Sequence, residues 1–226
     1  MQIIVAADPQ QAASLAARWI ARRVRSAVRL RGVARVAVSG GSTPSLMFDA
    51  LVAMGLAWEH VDLFQVDERV APDGDPDRNT EQLDRHLLRH VSIPRRNVHL
   101  MPVTDASLSR AAATYAESIG EAPLDIVHLG VGDDGHTASW PPGDPVIDAT
   151  TPVAITGEFN GRVRMTLTPL VVNAARARIV LAVGTGKAEP LAGWLLDRAE
   201  LPIGRVRRTG TALVLDPSAA ALLERD

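Results

Sequence analysis

Apolar runs rich in valine, isoleucine and leucine recur along the chain between longer stretches whose apolar residues return every three or four positions. Short apolar runs bounded by turn residues read as buried strands, and the longer periodic stretches read as amphipathic helices. The pattern predicts strands over residues 3–6, 34–39, 63–67, 126–131, 179–183 and 212–215, with weaker strand-like segments at 98–101 and 164–168. The clearest helix spans residues 9–31, where alanines, leucines, Trp19, Ile20 and Val24 recur among arginines that read as a solvated face. Further helices are expected to begin near Pro44, Thr80, Ser107, Lys187 and Pro217. Proline suits a first helical turn because that amide has no partner in any case.

Strands alternating with helices predict an α/β protein: a three-layer, Rossmann-like, mostly parallel sheet with helices on both faces. Its ligand is then expected beyond the carboxyl ends of the strands. Neither an internal repeat nor a low-complexity linker interrupts the pattern, so residues 1–226 are expected to form a single domain. The Pro/Gly/Asp-rich stretches 71–77 and 141–145 are too short to separate domains and read as site-lining loops.

Composition narrows the partners. A hydrophobic fraction of 46% over 226 residues is enough for a substantial core. The net charge of −2, with both signs mixed throughout, offers no polybasic stripe, so nucleic acid is not an expected partner. Cysteine is absent, which excludes disulfides and thiolate metal sites. Met1-Gln2-Ile3-Ile4-Val5 passes quickly into polar Asp8-Pro9-Gln10-Gln11, without the basic start or apolar length of a signal peptide. With no long apolar run elsewhere, a cytoplasmic protein without a membrane partner is expected, and the oligomeric state is left open.

The chemistry-bearing residues fall at the predicted strand ends. Strand 34–39 runs into Ser39-Gly40-Gly41-Ser42-Thr43-Pro44 and then a helix. Glycines that admit an anion to the backbone, a helix amino terminus and two hydroxyls make a phosphate cradle there. The alternative is that Ser42 or Thr43 only caps the helix. Strand 63–67 ends in Asp67-Glu68-Arg69. Asp67 can orient a base or a sugar hydroxyl, and Arg69 can bind an anion or a developing oxyanion; taken alone, though, the triplet reads first as an exposed turn with an internal ion pair, since surface charge needs no function.

The sharpest segment is Leu129-Gly130-Val131-Gly132-Asp133-Asp134-Gly135-His136-Thr137-Ala138-Ser139. It contains a formal G-x-G-x-x-G, but two aspartates fill the loop and Pro141-Pro142 soon breaks any helix after it, so a dinucleotide site is rejected. His136 in a glycine-rich turn reads instead as a general base, with Asp134 near enough to orient its ring. Downstream, alternation places Arg162 and Arg164 on one face with Thr166, and one arginine is expected to reach a phosphate. Gly184-Thr185-Gly186-Lys187-Ala188 presents Lys187 either as a phosphate counter-charge or as a solvated helix-start lysine. It is not a Walker A loop, because Leu181 and Ala188 stand where glycine and Ser or Thr are required. His86 and His90 lie four apart without a third ligand, so no metal is expected, and His128 falls inside a strand and reads as packed.

Taken in order, Ser39 to Pro44, Asp67-Glu68-Arg69, Gly130 to Ser139, Thr166-Leu167-Thr168 and Gly184-x-Gly186-Lys187 resemble the motifs of the 6-phosphogluconolactonase family. The resemblance implies a fold shared with glucosamine-6-phosphate deaminases and hydrolysis of 6-phosphoglucono-1,5-lactone without a cofactor. It also implies His136 as the base that activates water. Phosphate binding falls to Gly40, Gly41, Ser42, Thr43 and Lys187 with Arg164 assisting, and Asp67, Arg69 and Asp134 are further site residues. Two departures from the family pattern, Arg78 before Asn79 and Trp140-Pro141 after the histidine segment, are expected in substrate-facing loops and bear on substrate preference. The alternatives are a related sugar-phosphate isomerase or deaminase, whose expected acid is replaced here by Trp140-Pro141-Pro142, and a non-catalytic sugar-phosphate sensor.

Overall fold

The computed structural model describes residues 1–198 and 200–223. In chain order the elements are β1 (Gln2–Val5), α1 (Pro9–Arg31), β2 (Ala34–Val38), α2 (Ser42–Val52), β3 (Val61–Gln65), β4 (Asp67–Arg69), α3 (Asn79–His86) and β5 (Val98–His99). They continue with α4 (Leu108–Ile119), β6 (Ile126–Leu129), β7 (Val153–Ile155), β8 (Arg164–Leu167), α5 (Pro169–Ala174), β9 (Ala177–Ala182), α6 (Ala188–Leu195) and β10 (Thr211–Leu215). No helix among the described residues is long and apolar enough to cross a membrane.

Seven strands form one parallel sheet in the order β1-β10-β9-β6-β2-β3-β5. Side chains alternate across it, and the alternation divides the interior into two cores. Val36, Val38, Ile179, Leu181, Ala212 and Val214 face α1, α2 and α3. Ala37, Val180, Ala182, Leu213 and Leu215 face the core that includes α4 and α6. Strands apolar on both faces are what a helix-covered parallel sheet demands, so the expected three-layer α/β architecture is what forms. Helix α1 is fixed at both ends: Asp8 accepts from the Gln11 amide at 2.7 Å, and Gly32 closes it in the left-handed conformation at φ 79°.

The chain departs from expectation where strands change sheets. The strand expected over 63–67 breaks at Val66, whose amide donates to the Val38 carbonyl while its own carbonyl accepts from Leu167. Asp67–Arg69 then leaves the parallel sheet and pairs antiparallel with β8, which also pairs with β7, giving a small three-stranded sheet over the carboxyl edge. The helix expected from Pro217 is replaced by turns. The Asp216 carboxylate accepts from the amides of Gly184 and Ala219, which holds the chain against the loop after β9. Residues 224–226 at its expected end lie outside those described.

His128, in β6, is packed as expected. It is wholly buried, neither ring nitrogen has a partner, and burial pushes its pKa down to about 3. An unfolded chain takes up this proton near pH 6.5 and the folded one does not. The folded-state pKa is depressed, so the neutral ring's contribution is complete above pH 6.5 and is lost as the pH falls toward 3. Urea unfolding between pH 7 and pH 4 is expected to lose up to about 1.4 kcal/mol per pH unit from this residue. In His128→Leu that part of the slope should vanish, and an unchanged slope would remove His128 as its source.

Candidate active site

The order of the sheet reverses direction at β2: β3 and β5 lie to one side, β6, β9 and β10 to the other. A crevice opens beyond the carboxyl ends of strands at such a point. Here it is a cleft of about 440 Å³ whose walls include the segments after β2, β6 and β9 and residues of β4 and β8.

The cradle comes from the turn after β2. Ser39 donates its hydroxyl to the His128 carbonyl at 3.1 Å, fixing the turn to β6. Gly40 has no room for a side chain, because a Cβ there would overlap Asn79 Oδ1 and lie 2.8 Å from Asn79 Cβ. Gly41 stands at φ 129°, which favours glycine, and its amide donates to Gln82 Oε1 at 2.6 Å. Helix α2 begins at Ser42 with no side-chain cap. Ser42 and Thr43 therefore lie in its first turn, and the capping alternative fails. Their free hydroxyls and the helix amino terminus line the cleft.

Opposite lies the histidine loop. Gly132 donates its amide to the His136 carbonyl at 2.7 Å, and Gly135 at φ 81° closes the turn. Asp134 Oδ1 accepts from the His136 amide at 3.0 Å and lies 2.6 Å from His136 Nδ1. The ring is thus held through Nδ1, which leaves Nε2 for the cleft. Burial works to raise the Asp134 carboxyl, but the hydrogen bonds from His136 and its charge outweigh it and hold the pKa below the usual range. Lys187 ends the short turn after β9 and pairs with Asp133 at the cleft mouth. Gly186 makes that pair possible, since a Cβ there would sit 2.6 Å from the Asp133 carboxylate carbon.

Strands β4 and β8 supply the third wall. Their register sets Asp67 opposite Thr166 and Arg69 opposite Arg164, so the charged residues share one face. Asp67 accepts from the Ser139 hydroxyl at 2.6 Å. Burial pushes its pKa up, against the Ser139 hydrogen bond and the guanidiniums of Arg69 and Arg164. Arg164 is 7% exposed and lines the cleft. Arg162 lies two residues before β8 begins and turns to Asp75 at 3.0 Å and Asp77 at 3.5 Å, so only one of the two arginines enters the site.

Of the residues singled out from sequence, His136, Asp67, Arg69, Gly40, Gly41, Ser42, Thr43, Arg164 and Lys187 all line this cleft, and Asp134 stands behind His136. Glu68 has a different task. Wholly buried, it accepts from the amides of Arg69, Asn79 and Thr80 and from the Gln65 and Thr80 side chains, fixing the start of α3. The two family departures do not face substrate. Arg78 is buried and pairs with Glu68 at 3.6 Å and with Asp73, and Trp140 is wholly buried with its indole N–H donating to the Leu167 carbonyl at 2.7 Å. His86 pairs with Asp49 and His90 reaches the Arg85 carbonyl. No group of three or more His, Asp or Glu among the described residues is placed to hold a metal. Asn79, which packs under Gly40 and donates to the Asp67 carbonyl at 2.9 Å, and Ser139, which holds the Asp67 carboxylate, carry no local sign of these roles.

Fold and cleft together define an α/β protein of the kind that opens a polar cleft at the reversal point of a parallel sheet. The family model described as glucosamine-6-phosphate isomerases/6-phosphogluconolactonase matches residues 7–215, and the chain belongs to that family. The 6-phosphogluconolactonase of Rhizobium meliloti strain 1021 is 35% identical over 218 residues, covering 91% of this chain and 94% of that one. The structure of 6-phosphogluconolactonase from Trypanosoma cruzi matches with a TM-score of 0.86 at 25% identity, over 99% of this chain and 97% of the other. A monomeric glucosamine-6-phosphate deaminase, at 18% identity and a TM-score of 0.85 over 98% of this chain and all of the other, shares the fold.

Proposed function

We propose that this chain hydrolyses 6-phospho-D-glucono-1,5-lactone to 6-phospho-D-gluconate, the lactone-opening step of the oxidative pentose phosphate pathway. The observation that carries this reading is the His136–Asp134 pair, at 2.6 Å, opening on the same cleft as the Gly41–Ser42–Thr43 helix start and Lys187. The substrate phosphate sits on that helix start, with Lys187 and Arg164 as counter-charges. Water gives a proton to His136 Nε2 as its oxygen bonds to the lactone carbonyl carbon. Arg69 stabilises the oxyanion that forms. The bond from that carbon to the ring oxygen then breaks, and the imidazolium returns its proton to the ring oxygen.

Related isomerase and deaminase chemistry needs an acid after the histidine segment, where this chain buries Trp140 in the core. We read residues 1–226 as one lactonase domain that works in the cytoplasm on a small phosphorylated lactone, without a cofactor, nucleic acid or membrane.

Purified protein is expected to hydrolyse freshly generated 6-phosphogluconolactone well above the spontaneous rate and to leave glucosamine 6-phosphate unchanged. Folded protein that gives no acceleration would sink the lactonase reading. Lys187→Gln is expected to raise KM roughly ten- to a hundredfold with little change in kcat, the scale of one lost hydrogen bond to a charged group. An unchanged KM would take Lys187 out of phosphate binding.

A further inference from the structure

The segment between β7 and β8 is a hairpin closed by Asn160 at φ 51° and Gly161 at φ 73°, the paired left-handed residues of a tight two-residue turn. Phe159 and Arg162 flank that turn and exchange backbone hydrogen bonds at 2.9 and 3.3 Å. Arg162 binds Asp75 and Asp77, tying the hairpin to the loop after β4. So held, the Phe159 ring meets His136 edge-on, with centroids 5.1 Å apart and planes at 73°. It also lies 4.9 Å from the Arg164 guanidinium carbon, which stands over its face. Both neighbours line the cleft from different elements.

Arg164 has little else to orient it. Its Nε has no partner, and its two side-chain hydrogen bonds are long, 3.5 Å to the Ser139 hydroxyl and 3.4 Å to the Phe159 carbonyl. Asp67 attracts it without bonding it directly. The Phe159 ring is therefore placed to set the plane of the guanidinium, and the same ring packs against the imidazole that Asp134 holds through Nδ1.

We infer that Phe159 is a positioning residue: one aromatic ring sets both the imidazole of His136 and the guanidinium of Arg164, and its aromatic character rather than its bulk does so. The inference rests on the lactonase reading of the same cleft. A leucine or methionine at 159 fills the space without a ring, and a tyrosine keeps the ring.

In the full chain, Phe159→Leu and Phe159→Met are expected to lower kcat/KM roughly tenfold, with KM raised through Arg164 and kcat lowered through His136, at an unchanged melting temperature. Phe159→Tyr should stay within about twofold of wild type. Inorganic phosphate, titrated calorimetrically, should bind Phe159→Leu roughly fivefold more weakly than wild type, and this arm needs no turnover. Leucine and methionine variants that match wild type in kinetics and phosphate affinity would overturn the inference, as would a folded tyrosine variant as impaired as leucine. Wild-type protein that binds phosphate but does not hydrolyse the lactone would instead count against the lactonase reading, with the phosphate arm still deciding the role of Phe159.

Discussion

Replacing His136 with glutamine is expected to lower kcat for the lactone by a factor of about 10²–10⁴, the range a positioned general base contributes. Glutamine keeps hydrogen-bonding capacity and roughly the length of the side chain, but it cannot take a proton from water near neutral pH. The loss should fall on kcat, because in this reading the phosphate is held elsewhere, at the start of α2 and at Lys187. Folding should survive, since the His136 side chain is 28% exposed and its polar partner, Asp134, lies two residues away in the same loop. Initial rates corrected for spontaneous hydrolysis, alongside thermal unfolding, decide it. A folded variant within about threefold of wild type, far below the loss expected of a base, would remove His136 from that role.

Gly132→Ala, which adds one methyl group and touches no proposed catalytic group chemically, is expected to cost about 10²-fold in kcat. A Cβ at 132 would overlap His136 Nδ1 and lie 2.5 Å from Asp134 Oδ1, inside the pair that holds the imidazole. Either the ring or the carboxylate must move, and a displacement near 1 Å of a reacting group is enough for a loss of that order. The Gly132 backbone is not in the left-handed region, so the substitution tests the contact rather than conformational strain. The melting temperature should change little, because the displaced groups are partly exposed at the cleft rather than in the core. Wild-type activity in folded Gly132→Ala would mean that the 2.6 Å His136–Asp134 contact is not the working geometry.

Much of this protein is determined by its chain alone. The apolar runs that became β2, β6, β9 and β10 carry their own instruction, because a strand covered on both faces is apolar at most of its positions and each run is complete within six residues. Gly40-Gly41-Ser42-Thr43 and Gly130 to His136 were legible for a related reason. Turn conformation, helix starts and a reactive histidine are properties of neighbouring residues, and a strand's carboxyl end is where such properties meet in an α/β sheet.

Only the tertiary structure decided the pairings between residues far apart in the chain. Asp67 and Ser139 are separated by 72 positions, yet their hydrogen bond helps place a charged wall on the cleft. The small sheet β4-β8-β7 exists because Asp67–Arg69 finds β8, and that encounter separates Arg164, which enters the site, from Arg162, which is bound by Asp75 and Asp77. Trp140 and Arg78 read as loop residues by their neighbours, but the Leu167 carbonyl and the Glu68 carboxylate bring them inside. At Pro217 a local helix signal gives turns instead, with the Asp216 carboxylate shared between the nearby Ala219 amide and the distant Gly184 amide. Periodicity and propensity act over a few residues, so they specify strands, helices and turns; the partners of a buried charge or an aromatic ring are chosen only when those elements pack.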